Sequence, residues 1–289
     1  RVRLFDGGAE MTESPTTGPG ALYAFRVLFA HGFLRFLRSK RFLVALALCG
    51  LPAVGTMLLL YFGELYEMEQ LVERLRDQGW SAYLKVVVPI MALLACTPAI
   101  GDEIEEGTIG YLTTRPLSRT VLFFGRFAGA VAWTLLFLGA GALALVLSSK
   151  VNPSEIVAAF TEAAPGSAAR AGLALCIVSM IGGFAYGAIF TSLGALLRRS
   201  MIVGIAYVFA IEGFLSSLPG KARTLTLQFH LREALRSIGP GFWSTGPKDL
   251  PDAEVSLTAV AWVLLAVTVV ALLLGSMAMN RRAFVRVGD

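Results

Sequence analysis

Residues 101–125 read GDEIEEGTIGYLTTRPLSRTVLFFG and lie between two apolar runs, each long enough to enter a membrane. This polar segment holds the densest acidic cluster of the chain, followed by two arginines and a proline. Irregular backbone that faces lipid would leave N–H and C=O groups without hydrogen bonds. We therefore expect a short, structured loop on one aqueous side of a membrane.

The composition supports a membrane protein. Hydrophobic residues make up 56% of the 289 residues, which is more apolar surface than a soluble domain of this length buries. The net charge is +5, but the Lys and Arg residues sit in short clusters at the ends of apolar runs. Such clusters are typical of membrane topology and not of a phosphate-reading patch, so we expect no nucleic-acid partner.

Six apolar segments approach or exceed the ~20 residues that cross ~30 Å of hydrocarbon. They cover residues 42–62, 83–100, 121–147, 171–197, 201–218 and 256–279. The predicted fold is all-α and integral to the membrane, a six-helix bundle with a long outer segment before the last helix. Residues 1–20, rich in Gly, Pro, Ser and Thr, are predicted to be a disordered arm, and 21–289 a single transmembrane domain. No apolar stretch lies near the N-terminus, so we expect no cleavable signal peptide.

Residues 21–41 precede the first span and carry an amphipathic pattern. Aromatic and basic side chains alternate at helical spacing, including Phe25, Arg26, Phe29, Arg35 and Arg38. The pattern predicts a helix that lies in the headgroup region and leads into the first span. A helix packed on a soluble partner is the alternative.

The short basic loops predict the orientation of the chain. Basic residues lie before span one, between spans two and three, between spans four and five, and after span six: Arg35, Arg38, Lys40, Arg41, Arg115, Arg119, Arg198, Arg199, Arg281, Arg282 and Arg286. All of them fall on one side if the chain crosses six times, and the positive-inside rule makes that side the cytoplasm. Both termini are then cytoplasmic.

Small residues recur within spans three and four. Gly125 and Gly129 have G-x-x-x-G spacing, and so do Gly183 and Gly187. In lipid, helices approach closely through such residues, so we predict that both spans pack against other helices.

Two ionisable residues lie inside apolar runs. Arg126 is near the start of span three, and we predict that its long side chain anchors this helix at the headgroups. Glu212 lies thirteen residues after Arg199, ~20 Å along a helix. It is a candidate for a transport pathway, lining a polar cavity or pairing with an outer-loop base; the alternative is that the helix ends there.

The chain carries no sequence motif for catalysis. The H-E-x-x-H, G-x-S-x-G and Walker A patterns are all absent, so no P-loop binds ATP in this chain. The cysteines, Cys49, Cys96 and Cys176, lie in apolar runs without C-x-x-C spacing, and the acidic cluster has no second acidic motif to complete a metal site. We predict a protein that is not an enzyme and holds no metal, and whose acidic segment transmits motion from a soluble partner.

The segment also carries a family resemblance. Glu103-Ile-Glu-Glu-Gly-Thr108, then Leu112-Thr-Thr-Arg-Pro-Leu-Ser-Arg119 and Gly125-Arg126, resemble the E-x-E-x-G-T, L-x-x-x-P-x-S-R and G-K/R pattern of ABC-2 type transporter permeases. Most of the chain follows the same plan of interfacial helix, six spans and long outer segment. Arg126 stands where Lys is commoner in the pattern.

The resemblance implies an export permease of the bacterial or archaeal cytoplasmic membrane. It implies pairing with a second permease, a copy or a paralogue, and with two ATPase subunits that bind ATP and Mg; accessory or substrate proteins and membrane lipid complete the expected partners. The residues implied to contact the ATPase are Asp102, Glu103, Glu105, Glu106, Gly107, Thr108, Arg115, Pro116 and Arg119. A membrane scaffold that recruits cytoplasmic partners without transport is the alternative function.

Overall fold

The computed structural model describes residues 21–62, 68–105, 118–148, 167–215, 221–239, 243 and 256–281. These residues are almost entirely helical, and no strand occurs among them. The α-helices are α1 (Ala21–Leu37), α2 (Lys40–Tyr61), α3 (Met68–Asp77), α4 (Val88–Cys96), α5 (Pro98–Glu105), α6 (Arg119–Ser148), α7 (Ser167–Leu196), α8 (Ser200–Ala206), α9 (Leu227–Ile238) and α10 (Leu257–Arg281). Two π-helical stretches, Gln78–Val87 and Tyr207–Phe214, and a 3₁₀ turn, Lys221–Leu225, complete the order.

Five helical runs within the described residues are long and apolar enough to cross a membrane. They are Lys40–Leu59, Glu73–Cys96, Arg119–Leu147, Arg170–Leu196 and Leu257–Arg281. The second begins ten residues before the predicted start at residue 83, because α3 runs directly into the π-helical stretch and then into α4. Part of the segment between the first two predicted spans is thus a continuation of the second helical run.

The sequence predicts a sixth span over 201–218, and the structure has a shorter apolar helix there, Ser200–Phe214. A Cβ at Gly101 would clash with the side chain of Ser200, so this helix begins beside α5. Near its other end, Glu212 contacts α9, and Gln228 of α9 donates to the carbonyl of Lys85 at 3.1 Å. The short helix therefore runs from the α5 end of the bundle to the α9 end.

The centre of the bundle is formed by α6 and α7, which pack on each other and on α4 and α10. The small residues predicted to allow close packing lie in these contacts. A Cβ at Gly129 would lie 3.0 Å from the carbonyl oxygen of Phe29 on α1, and one at Gly187 would lie 3.0 Å from Val131 and 3.2 Å from Cys96. The predicted packing of spans three and four against other helices is confirmed.

The long segment before the last helix contains α9, whose side chains Leu227, Leu231 and Leu235 are buried. It packs against α7, α10 and the π-helical stretch Gln78–Val87. Thr226 caps its N-terminus by accepting a hydrogen bond from the N–H of Phe229 at 3.3 Å. This helix closes the end of the bundle opposite α5.

Candidate functional site

The first acid of the polar segment, Asp102, pairs with arginines of the N-terminal helices. Arg41 donates to both carboxylate oxygens of Asp102, at 2.8 and 3.3 Å, and Arg35 approaches it at 3.6 Å. Two parallel N–H···O bonds of this kind fix orientation as well as distance. The pair with Arg41 joins the C-terminal part of α5 to the start of α2, and the contact with Arg35 joins it to the end of α1.

The second acid, Glu103, pairs with an arginine inside the bundle. Its carboxylate contacts the guanidinium of Arg126 on α6, and the two side chains are only 7% and 4% exposed. Arg35 also donates to Glu103, at 3.3 Å, so this one arginine contacts both acids. We refer to Arg35, Arg41, Asp102, Glu103 and Arg126 as the Glu103 cluster; it joins α1, α2, α5 and α6.

Two glycines that face each other, Gly101 of α5 and Gly194 of α7, allow α5 to reach this position. A Cβ at Gly194 of α7 would lie 2.7 Å from the carbonyl oxygen of Thr97 and 3.3 Å from the nitrogen of Gly101. A flexible side chain could move away from such a Cβ, but these backbone atoms could not without moving the helix. The close approach of α7 to α5 therefore sets where Asp102 and Glu103 lie.

The N-terminal helix α1 lies along the first half of α6. Trp133 donates its indole N–H to the carbonyl of Phe33 at 2.7 Å, and the two rings stack with centroids 4.3 Å apart. A Cβ at Gly125 would lie 2.9 Å from Leu28. The helix predicted from the aromatic spacing is present, and it rests on a glycine-lined groove of α6.

The predicted interfacial residues divide between the two faces of α1. Phe25 and Phe29 are half-buried, whereas Arg26, Arg35 and Arg38 are exposed. Several apolar side chains of α1 are exposed as well, so both the amphipathic character of this helix and its location at the headgroups stay predictions.

The remaining predicted contact residues are only partly described. Glu105 is exposed at the end of α5, and Arg119 donates to the backbone carbonyl of Asn280 at 3.0 Å, which joins the start of α6 to the end of α10. Glu106, Gly107, Thr108, Arg115 and Pro116 lie outside the described residues.

The surroundings of Arg126 differ from those expected of an anchor at the headgroups. Sequence reasoning placed its side chain at the headgroups, but in the structure it is 4% exposed and faces Glu103. The sequence did not single out this pair, because four acids follow the second apolar run and nothing in their spacing distinguishes Glu103. The anchoring role itself stays a prediction.

Glu212 lies at the opposite end of the bundle and is 1% exposed. Its carboxylate accepts hydrogen bonds from the N–H groups of Leu227 and Gln228 and from the hydroxyl of Tyr207, each at 3.2 Å. The two N–H groups belong to the first turn of α9, where the partial positive charge of a helix favours a carboxylate. The sequence does not predict these two N–H groups as partners of Glu212, because backbone groups leave no pattern in a sequence. The pathway role of Glu212 stays a prediction.

No group of three or more His, Cys, Asp or Glu side chains within the described residues is arranged to hold a metal ion. The acids of the Glu103 cluster instead face guanidinium groups, whose positive charge binds carboxylates without a metal ion. The arrangement is suited to holding these helices together.

Comparison with known proteins identifies the class. The family model described as "ABC-2 family transporter protein" matches residues 26–284, nearly the whole chain. The chain therefore belongs to the ABC-2 family of transporter proteins, and it is a membrane permease component with several apolar helices. No curated protein matches it.

Proposed function

We propose that this chain is the membrane-spanning subunit of an ATP-driven exporter, and that separate ATPase subunits act on it through residues 102–120. Membership of the ABC-2 family supports the class. The geometric support is the Glu103 cluster, which ties the start of this segment to α1, α2 and α6. A displacement of the segment by a bound partner would reach three other helices directly.

The proposed assembly contains two copies of the ATPase, which bind ATP and Mg, and two permeases. A second copy or a paralogue of this chain supplies the other permease. Hydrolysis takes place on the ATPase subunits, and the permease contributes the pathway and the response to their motion. In this scheme Glu105 is well placed for an external contact, because it is exposed while Glu103 is buried.

We propose six crossings with both termini in the cytoplasm of a bacterium or archaeon. Five helices within the described part of the chain have the length to span. The shorter helix Ser200–Phe214 supplies the sixth crossing, since it runs from the α5 end of the bundle to α9. Arg199 then lies at the same end as Arg35 and Arg41, which agrees with a cytoplasmic, positively charged end.

Co-purification tests the assembly. The chain carries an affinity tag, is expressed in its host of origin, and is extracted in mild detergent. We expect a P-loop ATPase to co-purify and its ATP turnover to fall when Glu105 and Glu106 are both changed to Lys. The matched control is Glu73→Lys, an exposed acid at the other end of the bundle. Absence of a bound ATPase, or equal turnover in all three proteins, would contradict the proposal and favour a scaffold.

A further inference from the structure

The carboxyl group of Glu212 is surrounded by polar groups that carry no full charge. Its hydrogen bonds come from the N–H groups of Leu227 and Gln228 and from the hydroxyl of Tyr207. Within the described residues, no Lys, Arg or His side chain forms an ion pair with it. The N-terminus of a helix carries only about half an elementary charge, which does not balance a full one. A buried carboxyl group in such surroundings is stabilised by a proton that removes its charge.

A second buried group beside Glu212 has no hydrogen-bond donor. The side chain of Gln228 is 1% exposed, and its amide N–H donates to the carbonyl of Lys85 at 3.1 Å. Because a carbonyl oxygen can only accept, this bond establishes which end of the amide carries the oxygen. That oxygen, Oε1, is buried and accepts no hydrogen bond in the structure. A buried acceptor without a donor is costly, so one more donor is required here than these groups supply.

The hydroxyl of Tyr186 on α7 faces the side chains of both Glu212 and Gln228. Tyr186 is completely buried, and its hydroxyl makes no hydrogen bond of normal geometry in the structure. It lies well inside the helical run Arg170–Leu196, away from both ends of that helix. A hydroxyl group has one hydrogen to donate and lone pairs with which to accept. Tyr186 can therefore accept a hydrogen bond from one of these neighbours and donate one to the other.

One added proton on Glu212 provides a partner for each of these groups. When the carboxylate is ionised, Tyr186 donates to it, and Oε1 of Gln228 is left without a donor. When the carboxyl group is protonated, its O–H donates to the oxygen of Tyr186, whose own O–H then donates to Gln228. The N–H groups at the start of α9 keep their acceptor in both states, because a protonated carboxyl group still has lone pairs.

We propose that Glu212 is a proton-binding site, and that its proton completes a hydrogen-bonded chain from Glu212 through Tyr186 to Gln228. The proton comes from water and forms one O–H bond on the carboxylate; no other covalent bond changes. Among the described residues, Tyr186 of α7 and Tyr207 are the titratable groups that face Glu212, and α9 contributes its backbone N–H groups and the Gln228 amide. Proton binding does not depend on the proposed function.

The proton also affects how α9 is held. Its loss leaves a buried negative charge without a counter-charge and a buried amide oxygen without a donor, both at the first turn of α9. We therefore expect this turn to open more often when Glu212 is ionised. Hydrogen exchange of residues 227–231, corrected for the intrinsic rate, should become faster in the wild type as the pH rises and stay constant in Glu212→Gln, whose side chain is always neutral. The same pH dependence in both proteins would contradict this consequence.

The direct experiment is infrared difference spectroscopy on the purified full chain in detergent at neutral pH. A protonated carboxyl group has a C=O stretching band that an ionised carboxylate lacks, and this band shifts when the proton is exchanged for deuterium. We expect Glu212→Gln to lose one such band relative to the wild type. The matched control is Glu73→Gln, which changes an exposed acid and should lose none.

The variant Tyr186→Phe tests the chain of hydrogen bonds and does not require Glu212→Gln to fold. It removes the acceptor of the Glu212 proton and keeps the aromatic ring, so the carboxyl band should remain but move to a higher frequency. Wild-type and Glu212→Gln spectra that do not differ in this region would show an ionised Glu212 and overturn the proposal. A band that Tyr186→Phe leaves at the same frequency would overturn the chain through Tyr186.

Discussion

Glu103 and Glu212 are both buried carboxylates, but they are stabilised by different partners at opposite ends of the bundle. Glu103 faces the guanidinium groups of Arg126 and Arg35, whereas Glu212 faces two backbone N–H groups and a phenol hydroxyl. An ion pair between buried groups requires both charges, since loss of one leaves the other uncompensated. A set of N–H donors requires only an acceptor. The two sites should therefore respond differently to a neutral amide in place of the carboxylate.

The largest effect is expected for Glu103→Gln. This change removes the charge that faces Arg126, whose side chain is 4% exposed, and breaking a buried pair from one side costs about 3–5 kcal/mol. Thermal unfolding in detergent should show a strongly lowered midpoint. Adding Arg126→Met should recover much of the loss, because no unpaired charge then remains inside. A midpoint equal to that of the wild type for Glu103→Gln would contradict the ion-pair account.

A smaller loss is expected for Gly194→Ala, which tests whether the position of α5 sets the cluster. The new Cβ would lie 2.7 Å from the carbonyl oxygen of Thr97, and overpacking of this kind costs about 1–3 kcal/mol. Gly50→Ala is the matched control, since nothing lies within 4 Å of a Cβ there. Thermal midpoints of the two variants should differ clearly. Equal midpoints would mean that α5 is not held by this contact.

Glu212→Gln should be milder than Glu103→Gln. The amide oxygen still accepts a hydrogen bond from the first turn of α9, so the expected cost is about 1 kcal/mol. Glu212→Ala should be more harmful, because the N–H groups of Leu227 and Gln228 lose their acceptor. The comparison of the two thermal midpoints measures this difference. If Gln were as harmful as Ala, the charge and not the acceptor would hold α9.

Transport by the Glu212→Gln variant tests its predicted pathway role separately. We expect reduced transport with complex assembly intact. Unchanged transport would leave Glu212 with its structural role at the start of α9.

A still smaller effect on stability is expected for Asp102→Asn. Its partners Arg35 and Arg41 have side chains that are 39% exposed, and pairs in contact with water contribute about 0–1 kcal/mol. The thermal midpoint should fall only slightly, in contrast to the neighbouring Glu103→Gln. A loss as large as that of Glu103→Gln would show that burial does not separate the two acids.

The smallest expected effect is a change of stability with pH that is caused by His230 of α9. Burial lowers the pKa of His230, and the hydrogen bond to the carbonyl of Thr224, at 3.0 Å, offsets this only in part. Since the pKa is lower in the folded state than in the unfolded state, the unfolded state takes up its proton first as the pH falls. Stability should therefore decline slightly below the unfolded value of about 6.5 and be unaffected above it. His230→Asn should remove this part of the pH dependence of the thermal midpoint; an unchanged pH profile would contradict the assignment.

The apolar runs and basic clusters were sufficient to predict a helical membrane protein, and the resemblance of residues 103–126 to ABC-2 permeases predicted its family. They did not predict which side chains contact one another, because those contacts depend on the three-dimensional packing of the helices. Residues 201–218 have the composition of a span, but Glu212 is held by α9, and the described apolar helix ends at Phe214. Pairing of Arg41 with Asp102 and of Arg126 with Glu103 depends on how helices pack in three dimensions, and sequence spacing does not record that. The glycines of α6 gave a correct signal because close approach requires the absence of a side chain.

The central claim is that α1 and the start of the 102–120 segment move together when the partner ATPase changes state. Spin labels at positions 34 and 105, both exposed in the structure, report their separation by pulsed electron resonance in a purified complex that retains its ATP turnover after labelling. Cys176, which is only partly buried, is replaced by Ala, while Cys49 and Cys96 are buried. The account predicts the same narrow distance distribution without nucleotide and with ATP, and a broader one when Arg35 and Arg41 are both changed to Gln. A wild-type distance that changes between the two nucleotide states would contradict it.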